Sequence, residues 1–248
     1  MSWGAASGRP RQMLAVLAAA LMAVMLLPPV ATSARRLDWA QALQFAVLAL
    51  VVPALLVAGA PWKYLGLSRA ATALAEARRR HPERLRSAAI VGLALGCTVA
   101  WRTPAAVNRL HSGGWPVALE VVSLTVAGIA LWLECVTSPP LVPRSTRPVR
   151  IAIAAVSMWT VWFLAYLVAM SPNDWYRAYH HVTGQSLGLI ADQQIAAGVL
   201  WGAAGASFIP LIFWNLLQWL RSEEDPDEEL HRLVREDHRR AAPPHPVV

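Results

Sequence analysis

WAQALQFAVLALVVPALLVAGAPW (39–62) is the stretch whose reading decides the fold. Between its tryptophans, Leu43–Ala60 carries no charge at all. A bilayer core of about 30 Å needs ~20 apolar residues at 1.5 Å rise each, so this run reads as a membrane-crossing helix. The two tryptophans then sit at headgroup level, where amphipathic rings prefer to be. Five further segments read the same way: Gln12–Ala31, Ser87–Trp101, Trp115–Val136, Ile151–Met170 and Ile195–Leu220. Ser87–Trp101 is the shortest, and it needs either extension at its ends or burial among its neighbours. The sequence therefore predicts an all-α fold: a polytopic membrane bundle of about six helices over residues 1–222, with a charged tail at 223–248.

Composition agrees. The 248 residues are 56% hydrophobic and only 15% charged, against about 25% in soluble domains. No separate soluble domain fits. The net charge of +7 is distributed by side. Arg35, Arg36, Arg102, Arg109 and Arg177 fall in loops on one side of a six-span chain, and the other 17 of the 22 Lys and Arg residues fall on the opposite side. This positive-inside asymmetry places both termini in the cytoplasm, in a cell (plasma) membrane. The basic residues set topology and meet anionic lipid, so nucleic acid is not expected as a partner.

The first hydrophobic segment has a second reading. Arg9 and Arg11, the apolar 13–27 and the small residues of 30–34 have the three parts of a secretory signal. An uncleaved span is favoured because Arg35 and Arg36 follow immediately. Gly92 and Gly96, and Gly198 and Gly202, stand four apart and are expected at close helix crossings, within one bundle or between copies. Pro53 and Pro210 predict kinks. Cys97 and Cys135 lie at different depths, so no disulfide is expected. On the cytoplasmic side, 68–87 reads as a basic surface helix, and a short helix is expected in the tail from Pro226.

No enzyme signature is present: no nucleophile elbow, phosphate loop, dinucleotide fingerprint or His-Glu-x-x-His pair. Instead, polar residues gather at one predicted depth, the extracytoplasmic ends of four spans: Gln41, Gln44, Arg102, Glu120, Asp192, Gln193 and Gln194. Polar groups near hydrocarbon are costly and usually face the bundle interior and pair with each other. Either they line a solvated rim, or they converge into one pocket, and the reading here takes the pocket. His111, His180 and His181 are the metal-ligand candidates on the same side. His81, His231, His238 and His245 fall on the other side and are expected to be solvated.

These polar positions also carry a resemblance. VVPALLVAGAP (51–61), WRTP (101–104), LEV (119–121) and DQQIAAGVLW (192–201) resemble, in order, motifs of the multi-spanning cytochrome c oxidase assembly factor (CtaG) family. The resemblance covers roughly residues 38–222 and implies a helper in forming a copper-containing oxidase. The departures from the family are specific. Its two histidines before the Pro-Leu-Leu stretch match Gln41 and Phe45. The histidine of its Trp-His-x-Pro matches Arg102, and that of its Leu-Glu-His matches Val121. Imidazole suits copper, and carboxylates alone hold copper(I) poorly, so copper binding does not carry over.

The expected function is a non-enzymatic membrane assembly factor for a haem–copper oxidase of a bacterial respiratory chain. It acts at the outer face by docking on an oxidase subunit, with the Arg102 cation standing where a metal would, beside Glu120 or Asp192. Two other readings stay open. A copper-handling or copper-transport protein would have to rely on Met22, Met25 and Cys97. A structural or haem-binding subunit would need a histidine inside a span, where none lies. Oligomeric state is not legible.

Overall fold

The computed structural model describes residues 8–80, 84–180 and 187–223. His81, His181, His231, His238, His245 and the expected tail helix lie outside them. The described chain is helical, with no strand. Five helices are long and apolar enough to cross a membrane, or six if a bent pair counts as one span. The chain is a multi-pass membrane protein.

Helix α1 (Gly8–Leu26) stops short of the expected end at Ala31. Pro28 and Pro29 follow, and a residue before proline is pushed out of the α region. Leu27 is accordingly extended, and α2 (Pro28–Ala34) restarts as a separate short helix. The second span is longer than expected. It runs through α3 (Asp38–Ala46), a π-helical turn (Val47–Val51) and α4 (Val52–Gly59). The π-turn lies where Pro53 withholds an N–H, so the proline is absorbed inside the span. Ala60 closes α4 in the left-handed region (φ 47°), just before Pro61.

After α5 (Ser68–Arg80) comes the third span, which is broken. Helix α6 (Arg84–Trp101) and α7 (Pro104–Leu110) meet at 64°. Thr103 is extended ahead of Pro104, so Arg102 stands at the corner of the bend. Helices α8 (Trp115–Cys135), α9 (Arg147–Met170) and α10 (Leu189–Glu223) complete the bundle. At 35 residues α10 exceeds the predicted Ile195–Leu220 at both ends, and Pro210 lies within it without ending it.

The core is aliphatic and aromatic. Phe45, Leu50, Leu124, Leu131, Val161, Leu200 and Phe208 bury together, with Trp132 stacked on Phe208 at 5.4 Å. Small residues set the closest approaches. A Cβ on Gly128 of α8 would lie 2.6 Å from the Ala49 carbonyl oxygen, and one on Gly59 would lie 2.8 Å from the Ala15 nitrogen of α1. The expected glycines are not those. Gly92, Gly96, Gly198 and Gly202 are exposed, and a Cβ on any of them would meet open space. Within this chain they pack no helix. Their spacing puts each pair on one face, and the packing of α6 and α10 turns that face outward. Cys97 and Cys135 are free thiols.

Candidate functional site

Four of the seven polar residues, Gln41, Arg102, Glu120 and Asp192, do converge, and the first element of the convergence is a missing cap. Helix α3 begins at Asp38 after Leu37, which offers no side chain to its first N–H groups. Asp192, in the first turn of α10, supplies the acceptor from across the bundle. Its Oδ2 accepts from Asp38 N at 2.8 Å, and its Oδ1 accepts from Trp39 N at 3.1 Å. A carboxylate at a helix N-terminus satisfies orphan donors and faces the positive end of the dipole. Asp192→Ala is therefore expected to lower stability by about 2 kcal/mol, with Asp192→Asn intermediate, read by thermal unfolding in detergent.

Among the described residues Arg102 is the largest fully buried side chain. The α6–α7 corner aims it inward. Its Nη2 donates to Asp38 Oδ1 at 3.3 Å, and its Nη1 donates to Gln41 Oε1. Gln41 passes the contact on, donating through Nε2 to Glu120 Oε1 at 3.2 Å. The guanidinium carbon lies 5.7 Å from the Phe45 ring centre and 5.1 Å from that of Tyr176. Delocalised charge between aromatic faces is a site suited to arginine. The Tyr176 hydroxyl donates to Arg102 O at 3.1 Å, and the Tyr179 hydroxyl donates to Ala34 O at 3.3 Å. Burial raises both phenols above their ordinary pKa, so they stay protonated donors at neutral pH. Asp38, Asp192, Gln193, Asp174 and the two tyrosines line a cavity of about 10 Å³, room for one water at most.

The expected ion pair is thus corrected in its partner. Arg102 bonds directly to Asp38, reaches Glu120 only through Gln41, and leaves Asp192 to cap α3. The rest of the expected set separates. Gln193 is buried but braces the α9–α10 connection, accepting from Trp175 N at 2.8 Å and donating to Val168 O at 2.9 Å. Gln44 turns to α1, donating to Met25 O at 2.6 Å. Gln194 is exposed. His111 lies against backbone carbonyls, with Nε2 2.8 Å from Arg35 O, and its ring meets Tyr179 edge-on. His180 pairs with Asp174.

Sequence reading missed three residues of the cluster: Asp38, Tyr176 and Tyr179. Asp38 had a signal, an acid at the start of an apolar run. The tyrosines had none, because they belong to a loop that docks only in three dimensions.

Residues 4–222 match the family described as cytochrome c oxidase caa3 assembly factor (Caa3_CtaG). The chain belongs to that family. No curated protein and no solved structure matches it. As a Caa3_CtaG member it has a role in assembling a cytochrome c oxidase, and the oxidase is its partner. Copper is the metal that membership brings to mind, and the residues present do not suit it. Gln41, Phe45 and Arg102, the positions matched by resemblance to histidines of the family motifs, do come together here. They offer an amide, a phenyl ring and a permanent cation. A guanidinium repels a copper ion and cannot ligate it.

Proposed function

We propose that this Caa3_CtaG protein acts at the extracytoplasmic end of its bundle as a docking scaffold for an oxidase subunit, without enzymatic chemistry and without a metal of its own. The Arg102 guanidinium carries the reading. It sits among Gln41, Phe45 and Asp38, and Gln41, Phe45 and Arg102 are positions where the resembled motifs have histidine, so charge and geometry are held there by a side chain instead of an ion. The cluster ties α3, α6, α8 and α10 at one end, which gives a partner a rigid platform. The positive-inside rule supports that end as the outer one and supports a plasma-membrane location with both chain termini inward.

The test is gene deletion with complementation, reading oxidase activity and the copper content of purified oxidase. The expected result is lost activity with copper content kept. Lost copper that added copper salts restore would replace docking by metal delivery. No change in either would remove the proposed role for this chain.

A further inference from the structure

The opposite end of the bundle holds a second buried charge cluster, which the assembly reading leaves unused. Arg78 leaves the basic helix α5 and inserts into the bundle, 7% exposed. Its Nη2 lies 2.9 Å from Glu134 Oε1 and donates to Leu133 O at 3.0 Å. Glu134 is fully buried, and its other oxygen accepts from Ser87 Oγ at 2.7 Å. Ser87 satisfies one carboxylate oxygen; the other is in ion-pair contact with Arg78 but accepts no hydrogen bond.

A second guanidinium stands beside this pair with two of its nitrogens lacking an acceptor. Arg144 is half-buried, and its Nε and Nη1 are shielded and make no hydrogen bond. The Nε of Arg78 is in the same condition. Burial disfavours the charged form of Arg78, and the positive charge of Arg144 pushes the same way. Two cations therefore share one carboxylate, whose Oε1 accepts no hydrogen bond, and each cation keeps shielded N–H donors. Unmade hydrogen bonds of charged donors are expensive, so this arrangement calls for an anion.

The loop that carries Arg144 is held in place. Ser138 and Leu141 exchange backbone bonds of 2.9 and 2.7 Å, and Trp62 Nε1 donates to Ser138 Oγ at 3.0 Å. Ser145 Oγ donates to Glu134 O at 3.2 Å, and Arg150 Nε donates to Ser145 O at 2.9 Å. Arg144 lies between the end of α8 at Cys135 and the start of α9 at Arg147, which is the level of lipid headgroups for two spanning helices. Arginine is the side chain whose donors match phosphate oxygens.

We propose that Arg144, with Arg78 beside it, anchors a phosphate-binding site at the Glu134 end of the bundle, and that its ligand is the phosphodiester of an anionic phospholipid headgroup. This inference is independent of the docking reading. A bound headgroup gives the unpartnered donors their acceptor and clamps α5 and the α8–α9 loop to the membrane surface.

The test uses the full chain in detergent. Phosphatidylglycerol or phosphatidylcholine retained on the protein is measured by native mass spectrometry, and stabilisation by inorganic phosphate is measured by thermal shift. Phosphatidylglycerol is expected to be retained in preference to phosphatidylcholine. Arg144→Gln is expected to weaken that retention by about tenfold. Arg79→Gln, on the exposed face of α5, should leave it unchanged. Equal retention by R144Q and the parent protein overturns the site, as does an equal loss in R79Q. Inorganic phosphate that stabilises the protein as strongly as the lipid overturns the headgroup as ligand and leaves a free phosphate in its place. If R144Q does not fold, Arg144→Lys keeps the charge without the planar fork, and full retention in that variant also overturns the proposal.

Discussion

Arg102→Leu is expected to lose roughly 3–5 kcal/mol of stability, the range for breaking a buried ion pair from one side. The loss does not measure the attraction between Arg102 and Asp38. It arises because Asp38, 3% exposed, loses the cation in contact and must either stay charged in a dry site or take up a proton. Gln41 loses the donor to its Oε1 in the same step, which unseats its own bond to Glu120. The double variant Arg102→Leu with Asp38→Asn should recover a substantial part of the loss, since it removes the stranded charge. Unfolding in detergent and steady-state abundance in membranes read both variants. A single variant as stable as the parent protein, or a double variant no better than the single, would show that the pair does not hold the bundle together.

Gly128→Leu comes next in size. Helix α8 crosses the π-turn and α4 so closely that a Cβ at Gly128 would sit 2.5 Å from Pro53 Cγ and 2.6 Å from Ala49 O. One of those atoms is backbone and the other belongs to a rigid ring, so neither can yield. The helices must separate, and the core around Leu124 and Leu131 opens with them. The expected cost is about 3 kcal/mol or more, at the upper end of overpacking. Gly96→Leu is the matched control. A Cβ there meets open space, and a glycine inside a helix costs about 0.5–1 kcal/mol relative to alanine, so that variant should be neutral or slightly stabilised. Equal thermal loss in the two variants would contradict the packing described here.

The contrast between these glycines shows what sequence can carry. Gly92, Gly96, Gly198 and Gly202 have the spacing of a close crossing, yet all four face outward. Gly128 has no small partner four residues away in either direction, yet it lies at a close contact, as Gly59 does. Spacing tells which residues share a helix face. It does not tell which face meets another helix, because in lipid both faces are apolar.

The polar cluster divides in the same way. That Gln41, Arg102, Glu120 and Asp192 gather at one end was readable, because hydrocarbon makes each of them costly anywhere else. Their pairing was not readable. Asp38 and Arg102 stand 64 positions apart, and they meet only because the Thr-Pro bend after α6 turns a side chain inward. Arg78 is harder still. It is one of three consecutive arginines, and only the packing of α5 sends it, and not Arg79, to Glu134.

Sequence by itself settled that this chain crosses a membrane several times as helices, and that it belongs among oxidase assembly factors. The first follows from a property each segment carries alone: about 20 apolar residues whose backbone bonds close within the segment. The tertiary structure decided which acid neutralises Arg102, which acid caps α3, and that Arg144 keeps two shielded nitrogens without an acceptor. Those are outcomes of long-range pairing, set by bend angles and helix faces that no local pattern encodes.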